Sequence, residues 1–103
     1  MKIKGNWKTK QVFIQHIQRG WRELLPDESQ KVHNHSPNGF NWSYSGSGPA
    51  QLALAIALEI MTKEDAVVLY QDLKRDLIAG LPASDFEIDF YPYTWFKENV
   101  KDI

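Results

Sequence analysis

The run from Pro49 to Met61, Pro-Ala-Gln-Leu-Ala-Leu-Ala-Ile-Ala-Leu-Glu-Ile-Met, constrains this chain more than any other stretch. Only Gln51 and Glu59 interrupt its apolar character. A helix that is apolar on nearly every side has no face to give to water, so it is packed all round. The start is marked by Ser45-Gly46-Ser47-Gly48-Pro49. Proline suits the first helical position, where its missing N–H has no bond to lose. Gln51 is placed to close a capping box. Ala50, Ala53 and Ala57 form a small-residue stripe that lets another backbone approach closely.

The remaining segments arrange themselves around this helix. Thr62 with Asp65 reads as the cap of a second helix over 62–79, in which Ala66, Leu69, Tyr70, Leu73 and Leu77 keep helical spacing. Gly80 and Pro82 end it. Residues 10–17 read as a strand rich in β-branched and aromatic side chains, and Gly20 turns the chain. Trp21, Leu24 and Leu25 offer a short apolar patch before the turn at Pro26-Asp27, and residues 28–39 are polar, with another turn at Pro37-Asn38-Gly39. Phe40-Asn41-Trp42-Ser43-Tyr44 alternates as a strand does, with Phe40, Trp42 and Tyr44 on one face. Phe86 to Phe90 alternates likewise. Thr94 is expected to cap a short last helix carrying Trp95, Phe96 and Val100. The expected fold is α+β: a small antiparallel sheet packed on the central helix 49–61 and the second helix 62–79, with a short C-terminal helix and room for one more strand near the N-terminus.

A chain of 103 residues fits one domain, 1–103. At that size a chain buries roughly 65% of its unfolded surface, enough for one core. The absence of cysteine excludes disulfides and thiolate metal sites and suits a reducing compartment, so a cytoplasmic location is expected. No apolar run approaches the ~20 residues of a membrane span. With 12 basic and 13 acidic residues, the charge balance argues against non-specific nucleic-acid binding. Lys2, Lys4, Lys8 and Lys10 nevertheless gather beside Trp7, which makes a nucleic-acid surface one alternative.

Several constellations carry chemistry on paper. Ser45, Gly46, Ser47 and Gly48 lead into a helix N-terminus, which suits an anion such as phosphate; the plainer reading is a tight turn that lets the helix pack on its neighbours. His33 and His35 would point the same way on a strand and share a metal, but no third ligand stands at diagnostic spacing, so no metal is expected. Ser36 or Ser47 near a histidine lacks the context of a nucleophile elbow, so no catalytic residue is assigned. Asp85, Glu87 and Asp89 read as a solvated strand face. The aromatics are more informative. Trp42 belongs to the core by its alternation, whereas Tyr91, Tyr93 and Trp95 are expected near the surface. Tyrosine and tryptophan carry much of the binding energy of protein interfaces.

The stretch from Asn34 to Leu58 contains Phe-Asn-Trp-Ser-Tyr-Ser-Gly-Ser-Gly-Pro-Ala-Gln-Leu-Ala-Leu-Ala. It resembles a family of small uncharacterised proteins of bacteria, archaea and their phages, whose core signature is Phe-x-Trp-Gly-Tyr-x-Gly-Ser-Gly-Pro-Ala-Gln-Leu-Ala-Leu-Ala. Ser43 stands at the signature's glycine and Ser45 at its variable position, where glycine is also expected, and the N-terminal third matches poorly. The resemblance implies the same fold and a phage or mobile-element character, with no activity to carry over. Small phage proteins of this size often act by binding and blocking host machinery, defence complexes included, an association that the resemblance brings and no residue shows. The expectation is therefore a non-enzymatic module, without cofactor, that binds a protein partner through Tyr91, Tyr93 and Trp95. A phosphate-type ligand at Ser45–Gly48 is the main alternative.

Overall fold

The computed structural model describes residues 1–99. The element order is β1 (Lys2–Gly5), β2 (Val12–Gln15), β3 (Arg22–Leu24), α1 (Asp27–Val32), α2 (Ser47–Ile60), α3 (Lys63–Leu73) running into a π-helical turn (Lys74–Ile78), β4 (Phe86–Asp89) and α4 (Pro92–Asn99). The sheet has four antiparallel strands in the order β3-β2-β1-β4. Two consecutive hairpins lay down β1 to β3. The chain then passes through three helices before β4 pairs with the free edge of β1. This is the expected α+β arrangement.

The period-two alternation of each strand divides the sheet into two faces. Ile3, Gly5, Val12, Ile14, Leu24 and Phe86 are buried on the helix side. Lys2, Lys4, Phe13, Gln15, Glu87 and Asp89 occupy the other face, where Lys2 pairs with Asp89 and Lys4 with Glu87 across β1 and β4. α2 fills the centre: every residue from Gly48 to Ala57 is buried, as its composition requires. α3 packs along it through Ala66, Leu69, Tyr70 and Leu73, with Thr62 Oγ1 accepting the Asp65 N–H at 3.2 Å as the N-cap.

Trp42 joins the sheet to the helices. It is fully buried, packs edge-to-face on Phe86 (5.0 Å between centroids) and on Trp7 (5.6 Å), and donates its indole N–H to the Ser84 carbonyl at 3.1 Å. Room for this ring exists because residue 5 is glycine. A Cβ there would lie 2.4 Å from the Phe86 ring and 2.8 Å from the Trp42 ring.

Several expectations need correction. Phe40–Tyr44 is not a strand. Ser43 takes φ of 81°, which breaks the extended path, and its N–H donates to the Ile78 carbonyl instead of a sheet neighbour. Phe40 and Trp42 are buried as their alternation implies, but Tyr44 is exposed. Trp21–Leu25 contains β3, the polar stretch 28–39 contains most of α1, and the extra N-terminal strand is β1, at the middle of the sheet. Strand 10–17 shortens to Val12–Gln15 because the chain turns at His16–Arg19, with Gln18 at φ 67°. Helix 62–79 is α only to Leu73. The wider π turn follows where the Ile78 carbonyl accepts from Ser43 and the Asp76 carboxylate accepts from the Trp95 indole.

The last helix begins at Pro92 rather than after Thr94, with proline in the first helical turn. Val100 lies outside the described residues. Gln51 does not cap α2, whose N-cap is Gly46 with no side-chain hydrogen bond; Gln51 is instead buried and bonded to the segment 29–36.

Candidate partner-binding groove

The groove is made by two chain reversals at one end of the sheet. At the end of β2, the Arg19 N–H donates to the His16 carbonyl at 3.1 Å, and the left-handed Gln18 completes the turn. Ile17 is left at the tip, 83% exposed. At the end of β4, the Phe90 N–H donates to the Met1 carbonyl at 2.7 Å and its ring is buried. Its neighbour Tyr91 therefore turns outward and is 64% exposed. Between these ends runs a groove of about 400 Å³ whose walls include Lys2, His16, Ile17, Arg19, Asp89 and Tyr91.

A second cleft of about 490 Å³ continues from it, sharing His16 and Arg19 and adding Ile14, Gly20, Arg22 and Glu59. Glu59 is the polar interruption near the end of α2. Its carboxylate meets the Arg22 guanidinium, and His16 Nε2 lies 3.9 Å from the same oxygen. On the groove side, Lys2 Nζ is 3.8 Å from Asp89. Arg19, exposed in the turn, has no acidic partner among the described residues.

Of the aromatics expected at the surface, Tyr91 lines the groove and Tyr93, in the first turn of α4, is 77% exposed. Trp95 is not on the surface. It is 7% exposed and donates its indole N–H to Asp76 Oδ2 at 3.0 Å, so it fastens α4 to the π turn. Helical geometry explains the difference. Two residues along a helix turn a side chain by about 200°, so with Tyr93 facing solvent the side chain at position 95 comes round to the protein side, while Tyr91 lies before the helix.

The other candidates lie elsewhere. Ser45 and Ser47 are exposed at the start of α2, whereas Gly48 is buried. A Cβ on Gly48 would meet the Asn41 Cβ at 2.5 Å, and one on Gly46 would meet the Tyr44 ring at 2.5 Å. Close packing on the Asn41 backbone accounts for Gly48, while Gly46 is crowded only by the exposed Tyr44 ring. His33 and His35 stack with centroids 4.0 Å apart, and His35 Nε2 is 2.6 Å from the Tyr70 hydroxyl. Among the described residues no three metal-ligating side chains converge.

Three of the four lysines each face a different partner. Lys2 pairs with Asp89, Lys4 Nζ sits 4.2 Å from the Trp21 ring centroid, and Lys10 Nζ sits 3.0 Å from that of Trp7. Burial lowers the pKa of Lys10 there. Glu87 and Asp89 oppose Lys4 and Lys2 across the sheet, and Asp85 accepts the Trp7 N–H at 2.7 Å, so the acidic face is largely matched.

The sequence model of one family, described as a family of unknown function (DUF6166), matches residues 4–98. The chain belongs to this family. The DUF6166 match extends well beyond the stretch 34–58, through the N-terminal third, and takes in β2, β3, β4 and the groove positions from His16 to Tyr91. No curated protein and no solved structure matches the chain.

Sequence reasoning missed Ile17, Arg19, Arg22 and Glu59. Ile17 extends the apolar run of residues 12–14 and so reads as part of the strand. Glu59 did leave a signal, since a carboxylate in an otherwise apolar helix needs a charged neighbour near the surface.

Proposed function

We propose that this chain is a non-enzymatic binding module that engages a protein partner at the groove between the His16–Arg19 turn and the end of β4. The observation that carries this reading is the placement of Ile17 and Tyr91, two large and mostly exposed side chains, around one concavity whose walls also carry Arg19. Tyrosine and arginine are enriched among the residues that dominate interface energies, and an aliphatic anchor beside them is typical of an interface core. Tyr93, exposed on the neighbouring turn, extends the same contact. Among the described residues no helix is long and apolar enough to cross a membrane. The cysteine-free composition supports a reducing, cytoplasmic setting, and the resemblance to small phage proteins supports a host complex as the class of target.

The test compares affinity capture by the tagged wild-type chain, by Ile17→Ser/Tyr91→Ala, and by Val68→Ser on the exposed side of α3, all after nuclease treatment. A stoichiometric protein retained by the wild type and by Val68→Ser, but lost from the groove variant, is the expected result. Equal retention by all three, or loss on nuclease treatment, refutes the reading.

A further inference from the structure

We infer that the occupant of this groove is an acidic protein segment, which sets a carboxylate on Arg19 and an apolar side chain against Ile17 and Tyr91; this rests on the reading of the groove as a protein-binding surface. The argument is one of charge complementarity. Three cationic side chains, Lys2, Arg19 and Arg22, and two carboxylates, Glu59 and Asp89, line the groove and its continuation, which makes this surface positive in a chain whose formal net charge is −1.

The ion pairs then single out one residue. Asp89 lies 3.8 Å from Lys2 and Glu59 meets Arg22, so each carboxylate has a cation beside it, whereas Arg19 has no acidic partner among the described residues. Arg19 stands between the groove and the cleft and lines both. A guanidinium offers a planar pair of N–H donors that fits a carboxylate with two parallel hydrogen bonds. Ile17 and Tyr91 supply apolar area beside it, which partly excludes water and strengthens the pair.

A nucleic acid fits less well. It presents a row of phosphates and needs a row of cations to replace its counterions. Here the cations beside Arg19 are Lys2 and Arg22, each already facing a carboxylate, so among the described residues the groove and cleft offer one guanidinium without an acidic partner rather than a row of free cations. An isolated acidic side chain next to an apolar one matches the arrangement better.

The experiment is a selection of random displayed peptides on the immobilised full chain, run in parallel on wild type, Arg19→Glu and Tyr91→Ala. The best peptide is then titrated in solution at low and high salt, alongside a copy with its Asp and Glu changed to Asn and Gln. The expected outcome is enrichment of Asp or Glu next to an apolar residue. Affinity is expected to fall at least about tenfold with Arg19→Glu and with the amide copy, and to weaken as salt rises. Peptides that need Tyr91 but show no acidic preference and ignore Arg19→Glu overturn this inference and leave the groove reading standing. If no recovered peptide depends on Tyr91, or if a single-stranded oligonucleotide binds through Arg19 and Tyr91 while no peptide does, both fall.

Discussion

The side-chain carbonyl of Gln51 accepts the backbone N–H of His35 at 2.8 Å, from a fully buried position on the central helix. The same oxygen accepts from Ser36 N–H at 3.0 Å, and the amide nitrogen donates to Ser29 Oγ at 2.9 Å and to the His33 carbonyl at 3.1 Å. Every hydrogen-bonding position of the amide is used. One side chain thus ties α1 and the loop after it to α2, without any regular structure between them. Gln51→Met keeps the volume and removes these bonds. It is expected to cost about 2–4 kcal/mol, because buried partners are left unsatisfied. Urea unfolding measures this directly, and a loss below about 0.5 kcal/mol counts against the assignment.

Trp95 and Tyr93 are two residues apart and should behave oppositely. Trp95→Ala removes a buried ring and its bond to Asp76, so a loss of about 3–5 kcal/mol is expected. Tyr91→Ala and Tyr93→Ala are expected to stay within about 0.5 kcal/mol of wild type. Thermal melts of the three variants check this ordering, and a stable Trp95→Ala protein contradicts it.

Ser43 adopts φ of 81°, in the left-handed region where glycine is at ease and side chains are not. Ser43→Gly is expected to raise stability by about 0.5–1 kcal/mol, since relief of the backbone exceeds the entropy that glycine adds to the unfolded chain. Ser45, which has no such conformation, gains nothing from the same change. Denaturation of both variants side by side decides the matter. A destabilised Ser43→Gly contradicts the expected sign.

Burial lowers the pKa of His35 from its ordinary 6.5, with the stacked His33 ring and the nearby Lys74 acting in the same direction. The folded protein therefore takes up this proton less readily than the unfolded chain does. The associated stability is complete above pH 6.5 and is lost as pH falls from there through the folded-state value. The melting temperature is expected to decline over that interval in wild type and to decline less in His35→Asn. Tyr70→Phe, which removes only the hydroxyl facing Nε2, should keep the slope. A wild-type profile parallel to that of His35→Asn rules out His35 as the titrating group.

The central helix was legible because ten consecutive buried residues leave no ambiguity of face. The Thr62 cap of α3 was legible for a similarly local reason, whereas α2 starts at Ser47, two residues before the expected Pro49, and is not capped by Gln51. β3 was not, and β1 only as an extra strand without bounds, since three and four residues carry too little alternation to stand out, and each is a strand because a neighbour pairs with it. Phe40–Tyr44 has strand alternation without strand neighbours. Its two buried rings are read correctly from the pattern, while its backbone is set by Ser43 and Ile78, far apart in sequence. Tyr91 and Tyr93 were recognisable from residue type. Ile17, Arg19 and Glu59 join them only through the turn at His16–Arg19 and the end of α2, which no local pattern brings together.

The most direct test of the central claim is amide hydrogen exchange of this chain, free and bound to the partner it captures. Slower exchange at Ile17–Gly20 and at Tyr91–Tyr93 is predicted, with α3 around Val67 and Val68 unchanged. Protection confined to Ser45–Gly48 or to the exposed side of α3, with the groove exchanging as in the free protein, would contradict it.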